Sequence, residues 1–188
     1  KSNNSKTLVV FLTPKGRLLD NKLTTELAKT KNLTIVCGRY EGFDQRLIEN
    51  YADLELSVGD YVISGGEIAA LTIIDSVSRM VNSVVGKKEY VEKDSFQNSL
   101  LKNSVYTRPA VFKRSEVPRV LVSGDHKRIA KFNRNSSLTE TLKKREDLLE
   151  KAHISPEERD MLKEIKVQQM KSSLYLALVH YPIEDING

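Results

Sequence analysis

The chain is 188 residues long, 39% hydrophobic and 29% charged, an ordinary composition for one domain with a buried core, or one domain plus a small appendage. A single cysteine, Cys37, excludes an internal disulfide framework; three scattered histidines give no familiar zinc spacing, and no apolar run approaches the roughly 20 residues of a membrane-spanning helix. The net charge of +5 is unevenly placed: Lys102 to Arg145 holds twelve Lys/Arg against three acids, so it carries +9 and the remainder −4, a pattern that suits a polyanionic partner and a solvated charged face equally well.

The single cysteine makes a reducing cytoplasm the expected setting; Lys1 to Lys6 contains no apolar segment of the kind a secretory signal needs and runs directly into strand-like sequence, which suggests a chain that begins within a longer polypeptide. Thr7 to Leu12 is a β-branched and aromatic run followed by Thr-Pro-Lys-Gly; it predicts a buried strand ending in a turn. Asn21 to Lys29 predicts a helix with Leu23, Leu27 and Ala28 on one face, and Leu33 to Cys37 a second buried strand closed by Gly38. Phe43 to Tyr51 predicts a short helix, and Leu54 to Val58 and Tyr61 to Ile63 predict extended chain on either side of Gly59-Asp60. Glu67 to Val81 predicts a longer helix, with Ile68, Leu71, Ile74 and Ser78 at helical intervals. Strands alternating with helices imply an α/β fold whose parallel sheet is covered on both sides and whose ligands sit beyond the carboxyl ends of the strands. Asn82 to Ser104 is polar and reads as a long loop. Ser137 to Lys151 and Pro156 to Gln169 predict two helices capped by Ser137 and Ser155, and Ser173 to Tyr181 predicts a final strand.

No G-x-G-x-x-G, G-x-x-x-x-G-K-[ST], H-E-x-x-H or G-x-S-x-G occurs, which weakens dinucleotide-binding, NTPase, metalloprotease and hydrolase readings. Three other stretches stand out: Cys37-Gly38-Arg39-Tyr40-Glu41-Gly42, Ser57 to Glu67 (SVGDYVISGGE), and Asp75-Ser76-Val77-Ser78-Arg79. The first two glycine clusters each follow a predicted strand, where glycine lets a ligand approach the backbone closely. Glycines alone suit tight turns just as well.

Together with Leu12-Thr13-Pro14-Lys15-Gly16-Arg17, Lys93-Asp94-Ser95-Phe96 and Tyr106-Thr107-Arg108-Pro109, these stretches resemble the TrmD-type tRNA (guanine-N1)-methyltransferases of the SPOUT superfamily, over about Val9 to Lys166. The resemblance implies a SPOUT-type parallel α/β sheet with a deep trefoil knot and a small, mainly helical C-terminal domain. It implies a knotted cofactor domain over residues 1–84, a flexible lid over 85–104, a basic tRNA-binding domain over 105–170 and a tail over 171–188. The tail resembles the opening strand of a further RNA-methyltransferase-like domain. The family also carries a stretch before Lys1, with a Gly-rich loop.

The implied cofactor is S-adenosylmethionine, with magnesium assisting. Its pocket would be formed by Leu12 and Pro14, by Gly38, Tyr40 and Glu41, and by Ser57, Val58, Gly59, Asp60, Tyr61, Val62, Ile63, Gly65 and Gly66. The implied reaction methylates N1 of the guanine immediately 3′ to the anticodon, with Asp94 as the base and Arg79 stabilising charge on O6. The family is a homodimer in which the base comes from the partner subunit. Arg108, Lys113, Arg114, Arg119, Lys127 and Arg128 would meet tRNA phosphates, as would Lys131 and Arg134. Tyr106, Phe112 and Phe132 suit base stacking, though core packing is the commoner role for such residues. Two alternatives stand beside this reading: a SPOUT enzyme acting on another RNA base or on ribose, and a catalytically silent RNA-binding fragment.

Overall fold

β1 (Leu8–Leu18) is the central strand of a three-stranded parallel sheet of order β2-β1-β3. It pairs with β2 (Leu33–Val36) from Leu8↔Leu33 to Phe11↔Val36, and with β3 (Leu54–Ser57) from Val10↔Leu54 to Leu12↔Leu56. Its apolar residues serve both faces, as a central parallel strand requires. Val10 and Leu12 enter the main core, while Phe11 meets the edge of Phe43 at a ring separation of 4.9 Å.

The expected strand end at Leu12 is corrected: β1 continues to Leu18, and Thr13–Gly16 is an excursion within it. Leu12 and Arg17 both pair with Leu56, so four residues bulge out between two positions facing one partner. Gly16 makes the return possible. A Cβ there would lie 2.3 Å from the Leu56 nitrogen and 2.4 Å from the Glu55 carbonyl carbon.

The computed structural model describes residues 7–81, 84 and 94–180, the last eight as backbone alone. The chain divides into two units, Lys1–Lys93 and Asp94–Gly188. In the first, α1 (Asn21–Leu27) starts at Asp20, whose carboxylate accepts from the Leu23 N–H at 2.7 Å. α2 (Gln45–Tyr51) starts in the same way at Asp44. α3 (Gly66–Met80) has no side-chain cap; the Gly66 N–H donates instead to the Gly38 carbonyl, 3.0 Å away in the loop after β2. The core joins Val10, Leu12 and Leu56 of the sheet to Leu23 and Leu27 of α1 and to Ala69, Ala70 and Ile73 of α3.

Ile68, Leu71 and Ile74, whose spacing marks an apolar face, point away from this core and are 68%, 65% and 51% exposed. Periodicity shows that a helix carries a stripe, not which side meets the sheet. Here the small Ala69 and Ala70 take the packed side.

The second unit opens with a turn over residues 94–100 and a two-stranded antiparallel hairpin, β4 (Val111–Phe112) and β5 (Ser115–Glu116). A short 3₁₀ segment, Arg119–Val122, leads to α4 (His126–Lys144). A second 3₁₀ segment, Glu146–Lys151, leads to α5 (Pro156–His180). Leu100, Leu138, Leu142 and Leu162 form the core of this unit.

Two expectations are corrected here. The first C-terminal helix starts at His126 rather than Ser137. Its cap is Asp125, which accepts from the Lys127 and Arg128 N–H groups, and it ends at Lys144 before the separate 3₁₀ segment. Ser137 is mid-helix. Ser173 to His180 is the end of α5 rather than a strand, because a short apolar run has no period that separates the two states. Within the expected lid, the Leu101 N–H donates to Thr141 Oγ1 at 2.9 Å and the Ser104 N–H donates to Ser136 Oγ at 3.1 Å, both on α4. Residues 85–93 of the expected lid and residues 181–188 lie outside the described residues. The Ser155 cap is as expected: Ser155 Oγ accepts from the Glu158 N–H while Glu158 accepts from the Ser155 N–H, a reciprocal capping box.

Candidate functional site

Three loops leave the same end of the parallel sheet. They are the excursion at Leu12–Lys15, the segment after β2 from Gly38 to Phe43, and the segment after β3 from Ser57 to Gly66. Together with Gln45, Ile48 and Ala69 they enclose a cavity of about 320 Å³. Its position follows from the topology, because parallel strands deliver their connections to one edge.

The loops are shaped by glycines and cross-ties. At Gly38 an added Cβ would come within 2.8 Å of the ring of Phe43, which lines the cavity, and at Gly65 within 2.4 Å of Glu67 Oε2. At Gly59 an added Cβ would come within 2.2 Å of the Tyr61 ring. The second and third loops are joined by a bridge between Arg39 and Gly65 and by the bond from the Gly66 N–H to the Gly38 carbonyl. Arg39 Nε also donates to Glu67 Oε1 at 2.7 Å. That guanidinium bond holds the Glu67 carboxyl below its usual range. Ser57 Oγ turns the third loop by donating to the Gly59 carbonyl at 3.1 Å. Tyr40, at φ 58, is held in a left-handed conformation and is almost wholly exposed at the rim.

Of the cofactor-binding residues named from the sequence, Leu12, Pro14, Gly38, Tyr40, Glu41, Ser57, Val58, Gly59, Tyr61, Val62, Ile63, Gly65 and Gly66 line this cavity. Asp60 is exposed and does not. Thr13, Lys15, Arg39, Gln45 and Ser64 also line it. Arg39 and Ser64 sit inside the quoted motifs, so adjacency was the available signal. Gln45 and Ile48 come from α2 and carry no motif signal.

Arg79 and Asp94 are not among the lining residues. Arg79 lies on the last turn of α3, thirteen residues beyond Gly66 and so about 20 Å along the helix from the cavity end. Asp94 opens the second unit, where its Oδ1 accepts from Lys102 Nζ at 2.9 Å. Among the described residues no group of three His, Cys, Asp or Glu side chains is placed to hold a metal ion.

In the second unit Arg108, Lys113, Arg114, Arg119, Lys127 and Arg128 are all exposed. Lys113 and Arg114 form the tip of the β4–β5 hairpin, and Lys127 and Arg128 lie in the first turn of α4. Phe112 and Tyr106 are 65% and 46% exposed rather than core residues, whereas Phe132 is half-buried. Arg134 is engaged within the unit: Nε and Nη2 donate to the two carboxylate oxygens of Glu158, and Nη2 donates to the His153 carbonyl. It ties α4 to α5.

A family model described as "tRNA (Guanine-1)-methyltransferase TrmD" matches residues 1–151. Relatives named tRNA (guanine-N(1)-)-methyltransferase include one from Hahella chejuensis, 48% identical over 164 residues (87% of this chain, 64% of the relative). Others come from Dehalococcoides mccartyi, 45% identical over 161 residues (86% and 65%), and Vibrio vulnificus, 46% identical over 164 residues (87% and 66%). The chain thus spans about 64–66% of the length of these curated relatives. With a family match across the cavity-bearing unit and well into the basic one, the chain belongs to the tRNA (Guanine-1)-methyltransferase TrmD family.

Proposed function

We propose that the polypeptide containing this chain transfers a methyl group from S-adenosylmethionine to N1 of the guanine immediately 3′ to the anticodon of tRNA. The observation that carries the reading is the single cavity that gathers all the cofactor-binding residues implied by the family except Asp60. Its volume of about 320 Å³ suits a small-molecule site. Side chains at Gly38 and Gly59 would collide with the lining rings of Phe43 and Tyr61, so these glycines suit the close walls that a bent cofactor needs. The loop backbones present N–H and C=O groups suited to an adenine edge. The family's trefoil knot is part of the reading.

When bound, S-adenosylmethionine supplies an electrophilic methyl group on a cationic sulfonium. Glu41, at the cavity wall, offsets positive charge there. Guanine N1 carries a proton at neutral pH, so a base must take that proton before the nitrogen lone pair can attack. Asp94 takes it, and Arg79 donates to O6, where negative charge grows. The distance of Arg79 from its own cavity, about 20 Å along α3, favours a homodimer with an active site shared between subunits. The outward apolar face of Ile68, Leu71 and Ile74 offers surface for such an assembly. Magnesium assists in this reading, and no group of three His, Cys, Asp or Glu among the described residues marks its site.

Arg108, Lys113, Arg114, Arg119, Lys127 and Arg128 bind tRNA phosphates in this reading, and the positive end of α4 adds to the attraction. The target base leaves the anticodon-loop stack to enter the cavity. A cytoplasmic setting accompanies this substrate; no described helix is long and apolar enough to cross a membrane.

Cofactor binding to the full-length protein, measured by calorimetry, tests the cavity. Wild type is expected to bind S-adenosylmethionine, and Gly59→Val to lose roughly tenfold or more in affinity, about 1.4 kcal/mol. Equal binding by both proteins would place the cofactor elsewhere.

A further inference from the structure

The segment that carries Asp94 is a built turn rather than a loose strap. Leu100 is 6% exposed and packs with Leu138 and Leu142 of α4. The Leu101 N–H donates to Thr141 Oγ1 at 2.9 Å, and the Leu101 carbonyl accepts from Ser137 Oγ. Thr141 is fully buried, and its hydroxyl donates to the Ser137 carbonyl at 2.7 Å. The turn closes on itself: the Phe96 N–H donates to the Leu100 carbonyl at 2.7 Å, and the Lys102 N–H to Ser95 Oγ at 2.9 Å. Phe96 and Ser99 stay left-handed without being glycine, at φ 75 and 54, so the anchors hold a conformation that the residues do not prefer. The Arg145 guanidinium lies 5.9 Å from the Phe96 ring centre. At the end of this construction Lys102 Nζ donates to Asp94 Oδ1 at 2.9 Å, with side chains 44% and 31% exposed.

We propose that Lys102 is the positioning residue for Asp94, fixing the direction from which the carboxylate meets guanine N1. The inference rests on the reading of Asp94 as the base. Lys102 follows Leu101, the residue bonded to α4 through Thr141, so its backbone is placed by the RNA-facing unit itself. An ammonium group on one carboxylate oxygen limits the rotation of that carboxylate. The base is thereby oriented by the same element whose first turn carries Lys127 and Arg128. Lys102 does not touch the reacting atoms in this account.

The test is single-turnover methyl transfer by the full-length protein at saturating S-adenosylmethionine and tRNA, for wild type, Lys102→Met, Lys102→Arg and Asp94→Asn, with cofactor and tRNA affinities measured separately. Lys102→Met keeps the apolar stem and is expected to slow transfer roughly ten- to a hundredfold, as misplacement of a reacting group does, with both affinities unchanged. Lys102→Arg is expected to recover most of the rate, and Asp94→Asn to lose it. If Lys102→Met matches wild type while Asp94→Asn is inactive, the positioning role is overturned and the base assignment stands. If Lys102→Met instead weakens tRNA affinity and regains full rate at saturating tRNA, Lys102 is a phosphate contact and the proposal fails. A faster Lys102→Met would make the pair inhibitory and also overturn it. An active Asp94→Asn would remove the base assignment and the inference with it.

Discussion

Gly16 shows how much one missing methyl group can matter. Its Cα passes so close to β3 that a Cβ would overlap the Leu56 nitrogen and the Glu55 carbonyl, both backbone atoms that cannot swing away. Gly16→Ala is therefore expected to cost about 3 kcal/mol, read as a lower denaturation midpoint. A wild-type midpoint would contradict the crossing. Glu67 carries a pH consequence. Its folded-state pKa is depressed from 4.5, first by the Arg39 hydrogen bond, so the loop tie is fully present above that value. It is lost as pH falls through the lower folded value. Cofactor affinity is thus expected to fall on acidification below about 4.5, and Glu67→Gln to remove that part of the acid dependence. An unchanged acid profile in Glu67→Gln would exclude the tie as its cause.

Among the elements, α4 is the one whose sequence conceals most. The stretch from His126 to Asn135 is polar on nearly all sides, so periodicity begins to register only near Leu138 and Leu142, the residues that are buried. The Asp125 cap was the local signal that could have placed the start. The apolar run at Ser173 failed in the opposite sense: it looked like a strand because nine residues are too few to reveal a helical period. Strands, by contrast, were legible. Leu33 to Val36 is a mainly apolar run and Leu54 to Ser57 an alternating one, each ended by a glycine-bearing loop, and those loops help form the cavity. The excursion in β1 was not legible, because Thr-Pro-Lys-Gly reads as a chain reversal until β3 is seen to pair on both sides of it. Within α4, Thr141 serves as both donor and acceptor while buried. Thr141→Val keeps the shape and leaves the Leu101 N–H unpaired, so it is expected to cost about 1–3 kcal/mol in urea unfolding. A neutral substitution would show that the turn is held by other contacts.

Across the whole molecule, charge and cavity are divided between two units. The cavity lies in Lys1–Lys93, and the +9 segment lies entirely in Asp94–Gly188. Composition revealed that division, but it could not separate cations that face solvent from one that is spent internally. Lys127→Ala and Arg128→Ala are each expected to lower the slope of log affinity for tRNA against log salt by roughly one, as loss of one phosphate contact does. Arg134→Ala is expected to leave the slope unchanged and to weaken the α4–α5 packing, since its guanidinium is held by Glu158 and His153. Equal slope changes at all three positions would contradict this division. The most direct measurement of the central claim is mass spectrometry of nucleosides from tRNA transcripts treated with the full-length protein and S-adenosylmethionine. The transcripts would carry G or A immediately 3′ to the anticodon, and Asp94→Ala would run alongside. The account expects 1-methylguanosine from the G transcript alone, and none with Asp94→Ala. A methyl group on ribose or on another base, or undiminished 1-methylguanosine from Asp94→Ala, would contradict it.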